Sequence, residues 1–342
     1  MATTYDALLL VSFGGPEGPD DVLPFLENVL RGRNVPRERM LEVAEHYRHF
    51  GGVSPLNAQN RALVAALEKE LAEHGPPLPI YWGNRNWAPL LPDALRQMAA
   101  DGVRRALAFF TSAFSSYSGC RQYREDVARA QAEVGPTAPA VDKLRVFFNH
   151  PGFIEPQIEM LAASLARVPA ERRAETLVLF SAHSIPLAMA DNCRYVEQLR
   201  EASRLVAEGA GHERWEVVYQ SRSGPRHQPW LEPDVCARIE ELHAAGQLQE
   251  VIIHPIGFLS DHIEVVYDLD TEARALCDRL GVKLHRVPTI GTHPRFVKMI
   301  RELIEEHLSD NPVRLAVGSL GASHDVCPED CCLYVPVKRT MS

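Results

Sequence analysis

The segment EVIIHPIGFLSDHIEVVYDLDTEARALCDRLG, Glu250 to Gly281, decides how the chain is read. Val251, Ile252 and Ile253 run together as a buried strand. From Ser260 the apolar spacing becomes that of a helix ending near Gly281. The first turns of that helix carry Glu264, Asp268 and Glu272. A spacing of four sets the three carboxylates in one stripe on one face. Neighbouring like charges at that spacing cost about 0.2–0.5 kcal/mol per pair. Taken alone, the stripe reads as a solvated acidic face, favoured by the positive end of the helix dipole. A bound cation would offset the repulsion, and the rest of the chain weighs between the two readings.

Outward from this segment the chain repeats itself. LVLFSAHSIP, ending at Pro186, parallels LLLVSFGGP, ending at Pro16, an offset of 170. VVYQSRSG parallels PIYWGNRN, with Tyr219 against Tyr81 at an offset of 138. GFLSDHIEVVY parallels AFSSYSGCRQY at 144, and HPRFV at His293 parallels HPGFI at His150 at 143. Four matches in one order imply two similar halves. In each half strands alternate with helices. Strands are expected over 6–13, 79–82, 105–110, 144–148 and 177–180, and helices over 59–74 and 153–167. The fold class is α/β, with two Rossmann-like, doubly wound, mostly parallel sheets. The halves are expected over 1–170 and 171–310, the last helix packing back on the first half, with a cysteine-bearing extension over 311–342.

The fall in offset from 170 to 138 places an insertion of about 32 residues in the first half, and 29–57 is its expected position. It holds Arg31, Arg33, Arg37, Arg39, His46, Arg48 and His49, and reads as a basic lid over an anionic ligand or as an exposed helical hairpin.

The net charge of −9 over 342 residues argues against a general nucleic-acid binder. The opening MATTYDALLLVSFGG has no basic region, and no stretch approaches the roughly 20 apolar residues of a membrane span. A cytoplasmic protein is expected, at most peripheral to a membrane. Seven cysteines, an odd number, argue against a disulfide framework. Three of them crowd into CPEDCC and suggest a metal site.

Ligands of open α/β sheets bind beyond the C-terminal ends of the strands. His183 follows one such strand, and Phe13 is its counterpart in the first half. Glu264 opens the helix after another strand, with Cys120 as its counterpart. Imidazole with carboxylate suits a divalent first-row metal, and equally suits proton transfer near neutrality. Asp268 and Glu272 would extend the path, and Asp261 and His262 would support Glu264 by hydrogen bonding. A base, a carboxylate ladder and a basic lid together suit metal insertion into an anionic macrocycle, whose pyrrole protons leave as the metal enters.

On SFGGP, RGR, GGVSPLN, FSAHSIP, QSRSG with PWLEPDV, and GFLSDHIEVVYDLD, the chain resembles the ferrochelatase family over nearly its whole length. The resemblance implies two Rossmann-like domains facing a porphyrin cleft. It implies insertion of Fe2+, as substrate, into protoporphyrin IX or coproporphyrin III, a terminal step of haem biosynthesis. His183 and Glu264 become the catalytic metal-site pair, and Asp268 and Glu272 a path that a second cation also occupies. Phe13, Ser54, Arg85, Trp230 and Phe258 would line the porphyrin, with Arg31, Arg33 and Arg48 near its propionates. Trp230 as plain core and Arg85 as an ion-pair partner are the bland alternatives. The cysteine-bearing extension implies a [2Fe–2S] cluster held by Cys327, Cys331 and Cys332 with Cys120 as fourth ligand, Cys193 being the alternative. Zn2+ or free thiols are the competing readings of the tail. A haem acceptor or an upstream oxidase is the expected protein partner. A cobalt or nickel chelatase of another tetrapyrrole, or a noncatalytic porphyrin carrier, are the competing functions.

Overall fold

The computed structural model describes residues 4–32, 35–224 and 227–334. Eight strands form two four-stranded sheets. In the first, β1 (Ala7–Ser12), β2 (Ile80–Asn84), β3 (Arg105–Phe110) and β4 (Ala140–Lys143) lie in the order β2-β1-β3-β4. In the second, β5 (Leu177–His183), β6 (Trp215–Gln220), β7 (Glu250–His254) and β8 (Lys283–Arg286) lie in the order β6-β5-β7-β8. Every pairing in both is parallel. The two orders are the same pattern, so the repeat in the sequence is a repeat of topology.

The strand residues account for this. Every residue of β1 is buried, and all of β5 but its terminal His183. Both are central, so helices cover both of their faces, and the run reads as continuously apolar. The chain leaves β1 on one side and returns with β3 on the other, which opens a crevice at their C-terminal ends. β5 and β7 do the same.

One expected strand is displaced. The apolar run 144–148 is buried but lies outside the ladder; the strand is the preceding Ala140–Lys143, paired with Arg105–Ala108. Val146, Phe147 and Phe148 instead join a core shared with Val178, Phe180 and Ile252 of the second sheet. Burial between helices, rather than strand pairing, selects those side chains.

That shared core unites the halves. The helix Pro151–Leu165 packs on the helix Tyr195–Gly209, and the last helix, Pro294–Leu308, packs back on Pro151–Leu165 and on Leu56–His74. The insertion carries the helix Arg37–His49, which packs on the preceding helix Val22–Val29 through a small core of Phe25, Leu26, Met40 and Ala44.

The helix that carries the carboxylates begins at Ile263, three residues later than the sequence suggests. It runs as α over Ile263–Val265, as π over Val266–Ala273 and as α again over Arg274–Leu280, and it stops at Gly281 in the left-handed conformation. An α-helix drifts an every-fourth row by about 40° per step, and the wider π turn opposes that drift. The stripe of Glu264, Asp268 and Glu272 is therefore kept straighter than α geometry allows. Short π segments are rare and are often found at functional sites.

Candidate active site

β5 delivers His183 to the crevice at its last residue. β7 leads into the loop that delivers Glu264. Gly257 in that loop donates its N–H to the Ser181 carbonyl at 3.1 Å. A Cβ at Gly257 would stand 2.6 Å from the Ala182 Cβ. A glycine is needed for so close a backbone approach, and this approach sets Glu264 beside His183. The His183 Nε2 lies 3.6 Å from Glu264 Oε2.

The His183 Nδ1 hydrogen-bonds the Ser184 carbonyl, and the Tyr195 hydroxyl donates to the His183 carbonyl at 3.0 Å. A carbonyl only accepts, so the Nδ1 carries a proton and the Nε2 is the nitrogen that faces the carboxylate. In the neutral ring two acceptors are set against each other there, the place for a proton or a cation.

Asp268 stands one turn on. It accepts hydrogen bonds from Ser221 Oγ and, at 3.3 Å, from Gln220 Nε2, which also donates to the Glu264 carbonyl at 3.0 Å. Ser221 holds a left-handed φ of 60° to do so, a strained conformation for a residue with a Cβ. Burial, then the charges of Glu264 and Glu272, push the Asp268 carboxyl up to about 7. Glu272 is also raised, by burial and then by Asp234. Near neutral pH Asp268 is thus poised between its charged and its protonated form.

The supporting residues divide. His262 is kept neutral by burial and lies 4.0 Å from Glu264 Oε2. Asp261 does not turn to Glu264: its carboxylate pairs with Arg286 at 2.7 Å, and its N–H is held by Gln59 of the first half at 2.9 Å.

Among the expected lining residues, Phe13 is 37% exposed beyond β1, a large apolar ring open at the crevice. Its turn depends on Gly14, at φ 83°, where a Cβ would meet Asn84 Cβ at 2.9 Å. Phe258 is in the core of the second half with Val265 and Leu269, its edge toward His262 at 5.1 Å. It supports the site from beneath. Arg85 is 6% exposed and is engaged by Asp126, so its cation is already neutralised; only the face of its guanidinium approaches Phe13, at 5.8 Å. Ser54 is buried against Gly15. Trp230 stands over Gly224, and its indole N–H is buried without a partner among the described residues. Arg31 is exposed, bonded to Asn28, and Arg48 is paired with Glu45 on the lid surface. Arg33 lies outside the described residues.

The lid crosses to the second half. His46 stacks on Tyr267 at 3.7 Å between centroids and 9° between planes. Tyr47 is held protonated by burial and by the charge of Glu264. Leu187, just past FSAHSIP, is an exposed apolar side chain. Of these only His46 stands out in the sequence, as one of the lid's basic residues; Tyr47 and Leu187, like Gln220 and Ser221, do not stand out there by chemistry. Tyr267 is marked there only by its repeat partner Tyr123, and Gln220 and Ser221 only by the QSRSG motif.

A second cluster of donors lies on the tail. One donor atom each of His324, Cys327 and Cys331 all fall within 4.8 Å of one another. Cys331 Sγ is 3.7 Å from Cys332 Sγ and 3.7 Å from His324 Nε2. The Cys120 thiol hydrogen-bonds Cys327, which raises Cys120 and lowers Cys327. Cys193 donates to the Met189 carbonyl at 3.3 Å and feels Cys331 electrostatically. The tail thus collects thiols from both halves. Cys236 and Cys277 sit apart, with Cys277 in the core of the second half and Cys236 packed against it.

The sequence matches the family described as Ferrochelatase over residues 5–308. A relative named Ferrochelatase, from Rhodopirellula baltica, is 60% identical over 97% of this chain and 94% of its own length. One named Coproporphyrin III ferrochelatase, from Streptomyces coelicolor, is 53% identical over 97% and 94%. Among solved structures, SirB from Bacillus subtilis with Fe3+ shares the fold at a TM-score of 0.56 and 12% identity, covering 90% of this chain and 97% of that one. The chain belongs to the ferrochelatase family, the lyases that insert a metal ion into a porphyrin.

Proposed function

We propose that the protein inserts Fe2+ into a free-base porphyrin, with coproporphyrin III the favoured substrate and protoporphyrin IX the competitor. The His183 Nε2 lone pair facing the Glu264 carboxylate at 3.6 Å carries this reading. His183 accepts a pyrrole proton. Glu264 passes the metal in or the proton out, and Asp268 and Glu272 extend that route. Phe13, Leu187 and the stacked lid give the macrocycle an apolar bed, and lid residues including Arg31 and Arg48 sit toward its propionates. The relatives named for coproporphyrin III support the choice of substrate.

Replacing His183 or Glu264 with Ala should lower insertion by at least about a hundredfold, the ordinary worth of a positioned acid–base group. Porphyrin binding, followed by fluorescence quenching, should persist. Near-normal turnover in either variant rejects the assignment. Steady-state assays with the two porphyrins choose between the substrates, and metal-dependent loss of porphyrin fluorescence distinguishes an enzyme from a carrier.

The tail's donors fit a [2Fe–2S] cluster. Cys120, Cys327, Cys331 and Cys332 form a connected set of thiols, and four thiolates are what such a cluster takes. Cys332 adopts a left-handed φ of 55°, as though its backbone is set by where its sulfur must point. When bound, the cluster supplies one-electron redox chemistry. Visible absorption with two iron and two sulfide per chain supports it; a colourless protein carrying Zn2+ on His324, Cys327 and Cys331 overturns it. The reading places the enzyme in the cytoplasm and hands its product to a haem acceptor.

A further inference from the structure

The repeat sets Cys120 against Glu264 and Arg124 against Asp268, so the same two positions of one duplicated helix carry two different pairs. In the second half the pair is anionic, one turn apart, and its ladder suits a cation. In the first half the first position faces the sulfur donors of the tail. The second, Arg124, has a buried Nε–H with no hydrogen-bond partner among the described residues. Its cation acts on both Cys327 and Cys331, and Lys143, the last residue of β4, acts on Cys120 and Cys327. Arg121 acts differently. Its guanidinium donates to the carbonyls of Glu329 at 2.6 Å and Cys331 at 3.1 Å, fixing the loop rather than the sulfurs.

A buried donor without an acceptor is destabilising unless something occupies the other side. Two ferric ions, two sulfides and four thiolates sum to a dianion, and one-electron reduction makes a trianion. Such a group in a half-buried site demands a nearby cation, and the demand grows on reduction.

We propose that Arg124 is the donor and counter-ion of the C-terminal sulfur site, its unpaired Nε–H directed at a cluster sulfur, with Lys143 as the second cation. Arg124 thus does for an anionic group in the first half what Asp268 does for a cationic one in the second. This rests on the cluster reading given above. It makes Arg124 a tuning residue for the cluster's potential and gives it no part in metal insertion.

The experiment uses the full chain purified without oxygen. Iron and sulfide are counted first, then the midpoint potential and the electron paramagnetic resonance of the reduced protein are measured for wild type, Arg124→Met, Arg124→Lys and Arg129→Met. Arg129 is a control on the same helix, exposed and paired with Asp126. The Met substitution at 124 is expected to lower the potential, because the reduced, more negative form loses its donor. The Lys substitution should fall between, keeping charge but not the fork. Arg129→Met should leave the potential where it was. Wild-type protein without iron and sulfide overturns the cluster reading and this inference with it. A cluster-bearing wild type whose potential and resonance are unmoved in Arg124→Met, or moved equally by Arg129→Met, overturns this inference alone.

Discussion

Asp268 is a carboxyl that folding makes harder to ionise. Its ordinary value lies near 4, and burial with the neighbouring Glu264 and Glu272 charges raises it to about 7. The folded, metal-free protein therefore binds this proton more tightly than the unfolded chain does. The contribution to stability is fully present below about pH 4 and is lost as pH rises through about 7. Asp268→Asn should match wild type near pH 4. At pH 8 it should exceed wild type by about 1–2 kcal/mol, a figure already reduced for the partial exposure of the group. Urea titrations of the metal-free proteins at the two pH values measure this. Wild type gaining on the variant as pH rises would mean that an ion pair, not burial, governs Asp268. At this scale the residue types told much. His183 and Glu264 were legible because each follows a strand of a doubly wound sheet, where side chains meet ligands. The positive φ of Ser221 was not legible, since a serine carries no mark of the dihedral it adopts. For Arg85 the ion-pair reading was open beside the porphyrin-lining one, but nothing in NRN tells that its partner is Asp126, far along the chain.

The stack of His46 on Tyr267 ties the lid helix Arg37–His49 to the carboxylate helix. An aromatic stack of this kind is worth about 0.5–1.5 kcal/mol, and about 1.4 kcal/mol is tenfold in an equilibrium constant. His46→Ala should therefore raise the KM for porphyrin by about two- to tenfold, with little change in kcat and a fall of only about a degree or two in the thermal midpoint. A fall in kcat with unchanged KM would place His46 in the chemistry and not in closure. The carboxylate helix shows what periodicity reads and what it misses. The every-fourth spacing was correct as a stripe, but the π turns that straighten it were hidden. Their trace was a length: Tyr267 to Gly281 is two residues longer than Tyr123 to Gly135, although both glycines end helices with positive φ. The run 144–148 failed in the other way. A short run dominated by Leu144, Val146, Phe147 and Phe148 looks the same whether a ladder or two helices bury it, and here helices do.

Across the whole molecule, the repeat predicts two halves but not the means by which they are joined. The repeated histidines of HPGFI and HPRFV prove to be helix caps: His150 Nδ1 accepts from Gly152 N at 3.0 Å, and His293 Nδ1 from Arg295 N at 3.3 Å. The two helices they open pack on each other and carry one core through both sheets. At the far end of the last helix, Glu306 forms a two-pronged pair with Arg145, at 2.7 and 2.9 Å, with side chains 5% and 1% exposed. Arg145 also donates to the Leu315 carbonyl at 2.8 Å, so the same guanidinium holds the last helix and the start of the tail. Removing one partner of a buried pair strands a charge in low dielectric and costs about 3–5 kcal/mol. Glu306→Ala should lose about that much in urea unfolding. Because the core is continuous, it should do so by shifting one shared transition rather than by releasing one half first. Replacing both members, Arg145→Met with Glu306→Leu, should recover much of the loss, since no charge is then stranded. Separate transitions for the halves in either protein would show that the two sheets fold independently and that the shared core contributes less than its continuity implies.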